Sequence, residues 1–396
     1  MKFRVYILPC IAFLATCNRE GSREMLRNNR SIIIYMAALL FVVLIFTVSC
    51  QKDDDSGLLP VNRTVIVYMA ADNDLSGDAP VDLEEMQRGY METGAKLVVF
   101  IDVAGEAPYL LQMTGAGGQK IKSYPEFNSA DALQMQYMLN EIIEMYPAEH
   151  YGLILWSHGT SWLPAGRRLN SFVEDGDRQM NIPDLAEALP LRFDFVLFDA
   201  CLMGAVEVAY ELKDKTDFLI ASSTETIYEG FPYDRIIPEL LAPEVNPIQV
   251  ARCYFEYYNR LEGAYRSATV SVTDTRGMEA LAAATARLIE GQPFDMTAFD
   301  RASVQRLDVY GEQYVFDFGD FIAKAFPQAD AAALREQLAA TALYKAHTPQ
   351  FIEEYDIRTF CGLSCYIPHP QRNDLNSYYQ QLGWCKAAGF SRLFQP

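Results

Sequence analysis

The sequence predicts an α/β fold: a mostly parallel central sheet with helices on both faces, and a C-terminal α/β extension packed on it. Three observations lead there. Long apolar runs such as 63–71 (RTVIVYMAA), 96–102 (KLVVFID) and 151–156 (YGLILW) lack the alternation of a half-exposed strand. Runs of this kind suit strands buried on both faces, as in parallel sheets. Amphipathic stretches of helical length separate them, and a strand–helix–strand order implies parallel pairing through crossovers. Functional groups in such sheets gather beyond the carboxyl ends of strands, and two of the runs lead into His158 and Cys201.

The elements follow in order. Strand 63–71 enters the polar loop DNDLSGDAP, and helix 81–91 follows with Asp82 and glutamates near its start, where the helix dipole favours them. After strand 96–102, segments 108–115 and 119–127 read as a hairpin around a glycine-rich turn. Helix 131–146 stops at Pro147, and strand 151–159 carries His158. Residues 160–181 read as a polar loop, and 183–189 as a helix with Pro183 in its first turn. Strand 193–201 carries Cys201, followed by helix 204–213 and strand 217–225. Beyond about residue 238 the pattern changes to helices 247–263, 276–291, 330–344 and 376–390, with strands 267–275 and 362–368. This divides the chain into a domain over 63–237 that holds the His158–Cys201 pair and a subdomain over 238–396 that completes it.

The amino terminus is set apart. Residues 32–48 are almost uninterruptedly apolar, with Arg27 and Arg30 before them and Ser49-Cys50 after. That is the pattern of an export signal. A small residue followed by cysteine resembles the lipobox of bacterial lipoproteins, which implies lipidation at Cys50 and anchoring in a bilayer. A transmembrane anchor and simple secretion are the alternatives. Residues 1–50 are thus a leader and 51–62 an acidic tether, and the expected location is the bacterial outer membrane, at the cell surface or the periplasmic face. Residues 1–17 look like a second, shorter signal, so Met25 is the expected translation start, with Cys17 the alternative lipidation site.

The 396-residue chain has a formal net charge of −19, and removing residues 1–49 (six basic, two acidic) leaves −23. Such a surface repels nucleic acid and suits cationic partners. Five cysteines lie beyond the leader, an odd number that leaves at least one thiol unpaired within the chain. No G-x-S-x-G elbow, H-E-x-x-H zinc motif or P-loop occurs, and His150, His158, His347 and His369 lack metal spacing.

Taken singly, a histidine such as His158 is more often structural, and a cysteine such as Cys201 more often a buried thiol. Together, each ending a long apolar strand, they form the minimal equipment of a cysteine hydrolase, a sulfur nucleophile and a base for its proton. Gly159 allows close approach of a substrate carbonyl and offers its N–H, with that of Cys201, as an oxyanion donor.

In this light VIVYMAADNDL (65–75), LILWSHG (153–159), FDACLMG (198–204), ASSTETIYEGFPY (221–233) and GLSCYIP (362–368), in that order, resemble the clostripain family of cysteine endopeptidases. The resemblance spans nearly the whole mature chain and implies a caspase-like sandwich. His158 and Cys201 match the family's catalytic pair. It implies cleavage of protein or peptide substrates after Arg or Lys, with Asp199 and Glu229 matching acidic positions of the binding pocket. Glu229 and Phe231 stand where aspartate and tryptophan are expected. It also implies activation by cutting between the two strands, where Arg167, Arg168 and Arg178 are candidate self-cleavage sites. Asp72 and Asp74 are turn residues or lie at the site rim. Calcium is left open, since Glu174, Asp175 and Asp177 lack EF-hand spacing; otherwise no metal or cofactor is required, and the chain is read as a monomer. A catalytically silent cell-surface binding lipoprotein of the same fold is the main alternative, and an acyltransferase using the same pair is another.

Overall fold

The computed structural model describes residues 62–164, 172–176, 178–310 and 313–394; the leader, Cys50 and the tether lie outside them. A nine-stranded sheet organises the chain. Its strands are β1 (Arg63–Ala71), β2 (Lys96–Val103), β3 (Tyr109–Thr114), β4 (Gly117–Ser123), β5 (His150–Trp156), β8 (Phe193–Asp199), β9 (Thr216–Ala221), β10 (Thr269–Asp274) and β12 (Ala342–His347). In space the order is β12-β10-β9-β8-β5-β1-β2-β3-β4. The pairs β9–β8, β8–β5, β5–β1 and β1–β2 are parallel, and the outer pairs antiparallel.

All nine residues of β1 are buried, as the apolar run requires. Its side chains alternate between two cores. Ile66, Tyr68 and Ala70 face one, with helices α2 (Ala132–Met145), α3 (Ile182–Ala188), α4 (Val206–Glu211) and α7 (Met278–Ile289). Val65, Val67 and Met69 face the other, with α1 (Ala79–Gly89), α5 (Tyr233–Leu240) and α6 (Pro247–Asn259). Helix α2 begins where the Asp131 carboxylate accepts the N–H groups of Leu133 and Gln134 at 2.9 and 3.0 Å, a side-chain cap that satisfies orphan donors of the first turn. The remaining helices are α8 (Phe318–Ala325), α9 (Ala332–Thr341), α10 (Asn373–Tyr379) and α11 (Gly383–Ala387).

Four expectations need correction. The polar stretch 160–181 contains a hairpin, β6 (Phe172–Asp175) paired with β7 (Arg178–Met180). Helix 330–344 ends at Thr341, and its last residues turn into the edge strand β12. Its half-exposed sequence ALYKAH suits a helix locally, and only pairing with β10 makes it a strand. Within 362–368 only β15 (Ser364–Cys365) is a strand, paired with β11 (Phe316–Asp317). Segment 376–390 breaks into α10 and α11. The last small pair is β13 (Gln350–Phe351) with β14 (Tyr355–Asp356). Cys201, Cys253, Cys361, Cys365 and Cys385 are all free thiols.

Candidate active site

Parallel register brings the site together. Trp156 of β5 pairs with Asp199 of β8. His158 and Cys201 each lie two residues past that last pair, so both emerge from adjacent strand ends. The two loops are in close contact: a Cβ on Gly159 would lie 2.5 Å from the Cys201 carbonyl oxygen and 3.0 Å from Met203 Sδ. Only glycine fits between them. Among the described residues neither the Gly159 N–H nor the Cys201 N–H has a hydrogen-bond acceptor. Leu202, next to the thiol, holds φ +65°, a left-handed conformation costly for a bulky residue and concentrated at functional sites. Its N–H bonds to Thr224 O at 2.8 Å, which fixes the turn.

The Cys201 Sγ accepts the Thr226 N–H at 3.3 Å. Burial pushes this thiol up to about 12; the Thr226 N–H pulls the other way, and the Glu225 and Asp199 carboxyls add to the rise. The His158 Nε2 lies 2.6 Å from Asp74 Oδ1. Asp74 belongs to a short 3-10 turn (Asp74–Gly77) and is 84% exposed, against 29% for the imidazole. It orients the ring without burying it.

Below the strand ends lies an acid pair that the sequence did not disclose. Asp199 is buried, and its Oδ2 accepts the Phe231 N–H at 3.1 Å and the Tyr233 hydroxyl at 2.8 Å. Asp82 from α1 is also buried and accepts the Trp156 Nε1–H at 2.6 Å. Since Trp156 is the register partner of Asp199, the two carboxyls share one end of the core. Burial raises both well above the usual carboxylate range, and Asp199 raises Asp82 further. No Lys or Arg pairs with either among the described residues. The nearby Tyr254 hydroxyl is buried and without a partner. Tyr254 stacks on Phe231 with centroids 4.2 Å apart.

Glu229 is exposed, and the structure does not bring it to Asp199. Instead the next residue, Gly230 at φ +61°, covers the acid; a Cβ there would lie 2.8 Å from Asp199 Oδ2. Asp82 was legible only as an N-terminal helix residue, because nothing local pairs it with a strand end about 117 positions away.

Arg178 is exposed in β7, while Arg167 and Arg168 lie outside the described residues, as do the side chains of Glu174 and Asp177. Asp175 is buried and accepts the Ser129 N–H and hydroxyl at 2.5 and 3.2 Å. Among the described residues no group of three or more His, Cys, Asp or Glu is arranged to hold a metal ion. Asp72 offers its backbone carbonyl to the Gly176 N–H at 3.1 Å. A cavity of about 360 Å³, lined by Arg306, Lys324 and Arg358 among others, shares no residue with the site.

A caspase-like α/β sandwich with an imidazole and a thiol on neighbouring strand ends defines the class of cysteine peptidases. Comparison with known proteins agrees. The clostripain family profile matches residues 67–378, and the chain belongs to that family. Clostripain of Hathewaya histolytica is 27% identical over 214 residues, 43% of this chain and 41% of clostripain, so less than half the length of that relative is matched. The X-ray structure of an inactive zymogen protease from Parabacteroides distasonis is similar with a TM-score of 0.74 at 29% identity, over 83% of this chain and 99% of that one. A secreted cysteine protease from Bacteroides thetaiotaomicron, bound to an irreversible peptide inhibitor, gives 0.74 at 29% identity over 84% and 99%.

Proposed function

We propose that this protein is an endopeptidase that cleaves peptide bonds after Arg or Lys, using Cys201 and His158. The buried Asp82–Asp199 pair, without a cationic partner beside the thiol, carries the reading. Two carboxyls in low dielectric need a positive charge to ionise together. A substrate guanidinium or ammonium brings that charge, and the Tyr254 hydroxyl accepts one of its N–H groups. Glu229 at the exposed rim guides the cation inward.

In the reaction the Cys201 sulfur attacks the scissile carbonyl carbon, and the Gly159 and Cys201 N–H groups take the developing oxyanion. His158 accepts the thiol proton and returns it to the leaving amine as the C–N bond breaks. Water then hydrolyses the thioester, releasing the acid and restoring the thiol. The raised Cys201 thiol, half-buried against the Thr226 N–H, supports a resting form that is opened by cleavage in the 160–181 segment at Arg167 or Arg168, with Arg178 the third candidate. The zymogen state of the Parabacteroides relative supports such a step. The leader pattern supports a lipoprotein anchored through Cys50 at the outer membrane, facing the cell surface or the periplasm. Calcium binding beside Asp175 stays open to test by adding a chelator; otherwise the reaction needs no cofactor.

The test uses reporter amides preceded by Arg, Lys, Ala or Asp, with Cys201→Ala as control. Cleavage after Arg and Lys alone, lost in the variant, is expected. Cleavage only after Ala or Asp would leave the thiol chemistry and discard the acidic pocket. No cleavage, with reductant and after limited proteolysis of the 160–181 segment, would favour a silent binding lipoprotein.

A further inference from the structure

A cavity that reaches Cys201 and a second one next to it share a wall made by Glu225 and Tyr310. The smaller, about 140 Å³, reaches Gly159 and Leu163. The larger, about 210 Å³, opens between Ile227 and Tyr228 on one side and Tyr265 and Ile352 on the other. Tyr228, Tyr265 and Tyr310 are 72%, 57% and 72% exposed. They are three of the nine most exposed large hydrophobic side chains among the described residues, and all three line this one cleft. A cluster of solvent-facing rings around a concavity is a binding surface rather than a random scatter.

The cleft is continuous with the site. Thr226, whose N–H reaches the Cys201 sulfur, belongs to its lining. Its one carboxylate is occupied, since Glu225 accepts the N–H groups of Val309 and Tyr310 at 3.0 Å each and so holds the Tyr310 wall. The smaller cavity takes in Gly159 and Cys201, whose N–H groups are the oxyanion donors, so it lies at the scissile carbonyl itself. The larger one, on the segment that runs into Glu229 and Gly230, lies on the acyl side.

We propose that the larger cleft is the pocket for an apolar side chain, of Leu or Phe size, from one of the two residues immediately before the basic residue of the substrate. This rests on the peptidase reading above and narrows its substrate class to peptides with an apolar residue near the basic one.

The experiment uses full-length protein, nicked in the 160–181 segment where intact chain is silent. Two reporter-amide series carry X directly before Arg or one position earlier, with X as Leu, Phe, Gly or Asp. In one series Leu and Phe should exceed Gly in kcat/KM by roughly tenfold, as a filled apolar pocket gives, with Asp lowest. Tyr265→Ala should remove most of that advantage through KM, while its circular dichroism spectrum and melting midpoint match those of the parent, which reports an intact fold. Equal rates for all four residues in both series, with cleavage still abolished by Cys201→Ala, would overturn the cleft and leave the peptidase reading standing. An apolar preference that survives Tyr265→Ala overturns the assignment as well. Cleavage of none of the peptides takes down both.

Discussion

At the scale of single residues, burial displaces Cys201, Asp82 and Asp199 from their ordinary titration ranges. Cys201 as placed is a thiol, not a thiolate, at neutral pH. Alkylation of the intact chain by iodoacetamide should therefore be slow at pH 7 and rise about tenfold per unit up to pH 10. Cleavage in the 160–181 segment should flatten that profile, and an unchanged profile would contradict the resting-state reading. The acid pair makes a second prediction. Free enzyme must lose the protons of Asp82 and Asp199 to receive a cation, so kcat/KM for an Arg substrate should fall below neutrality rather than near pH 4. Asp82→Asn and Asp199→Asn should each cost on the order of a hundredfold in kcat/KM for Arg, whereas Glu229→Gln at the rim should cost less than about fivefold. Asp102 tests the same physics away from the site. It is fully buried near the end of β2, and burial lifts it to about 7 against the opposing pull of the Ser129 side chain. Its folded value lies above its unfolded one, so it costs nothing below about pH 4, and the cost grows as pH rises to about 7. Asp102→Asn should accordingly raise the urea midpoint at pH 8 more than at pH 5, by on the order of 2 kcal/mol in unfolding free energy. Equal shifts at the two pH values would show that the carboxyl ionises without penalty.

At the scale of elements, what was legible depended on whether a residue's role is local. The apolar runs of β1, β2, β5 and β8 specify themselves, because a strand buried on both faces needs no partner to be recognised. His158 and Cys201 were legible for the same reason, each standing at the end of such a run. Residues whose meaning comes from distant pairing were not: β12 is a strand only beside β10, and Asp82 is a site residue only through Trp156. The β6–β7 hairpin belongs to this second group, and it changes the ranking of the cleavage sites. Arg178 pairs with Asp175 across the hairpin, and a protease must take its substrate out of such pairing into an extended, accessible form. Arg178→Ala should leave processing unchanged, while the double change Arg167→Ala, Arg168→Ala should leave a single band on a denaturing gel. Loss of processing in Arg178→Ala would show that the hairpin opens first.

At the scale of the whole molecule, the segments before and after residue 238 share one sheet and two cores. Strand β10 closes the edge of β9, and Tyr366, Tyr379 and Trp384 from the C-terminal segment lie in the core that holds α4. Buried Glu207 of α4 ties them in, accepting the Tyr366 N–H at 2.9 Å and the Tyr379 hydroxyl at 2.6 Å. Residues 63–237 alone would expose an unpaired edge and half a core. They should fail to give a cooperative thermal transition by circular dichroism; a sharp one would make them a domain in their own right. The hydrogen bond from Trp156 to Asp82 also has an optical consequence. Of the three tryptophans, Trp162 and Trp384 have buried indole N–H groups without partners, whereas that of Trp156 rests on Asp82. A carboxylate at the indole nitrogen alters the excited state of the ring, so the charge arriving with a basic ligand is felt directly by one chromophore out of three. Fluorescence emission from the unlabelled protein thereby becomes a titration of pocket occupancy, readable even in Cys201→Ala, where no bond is cut.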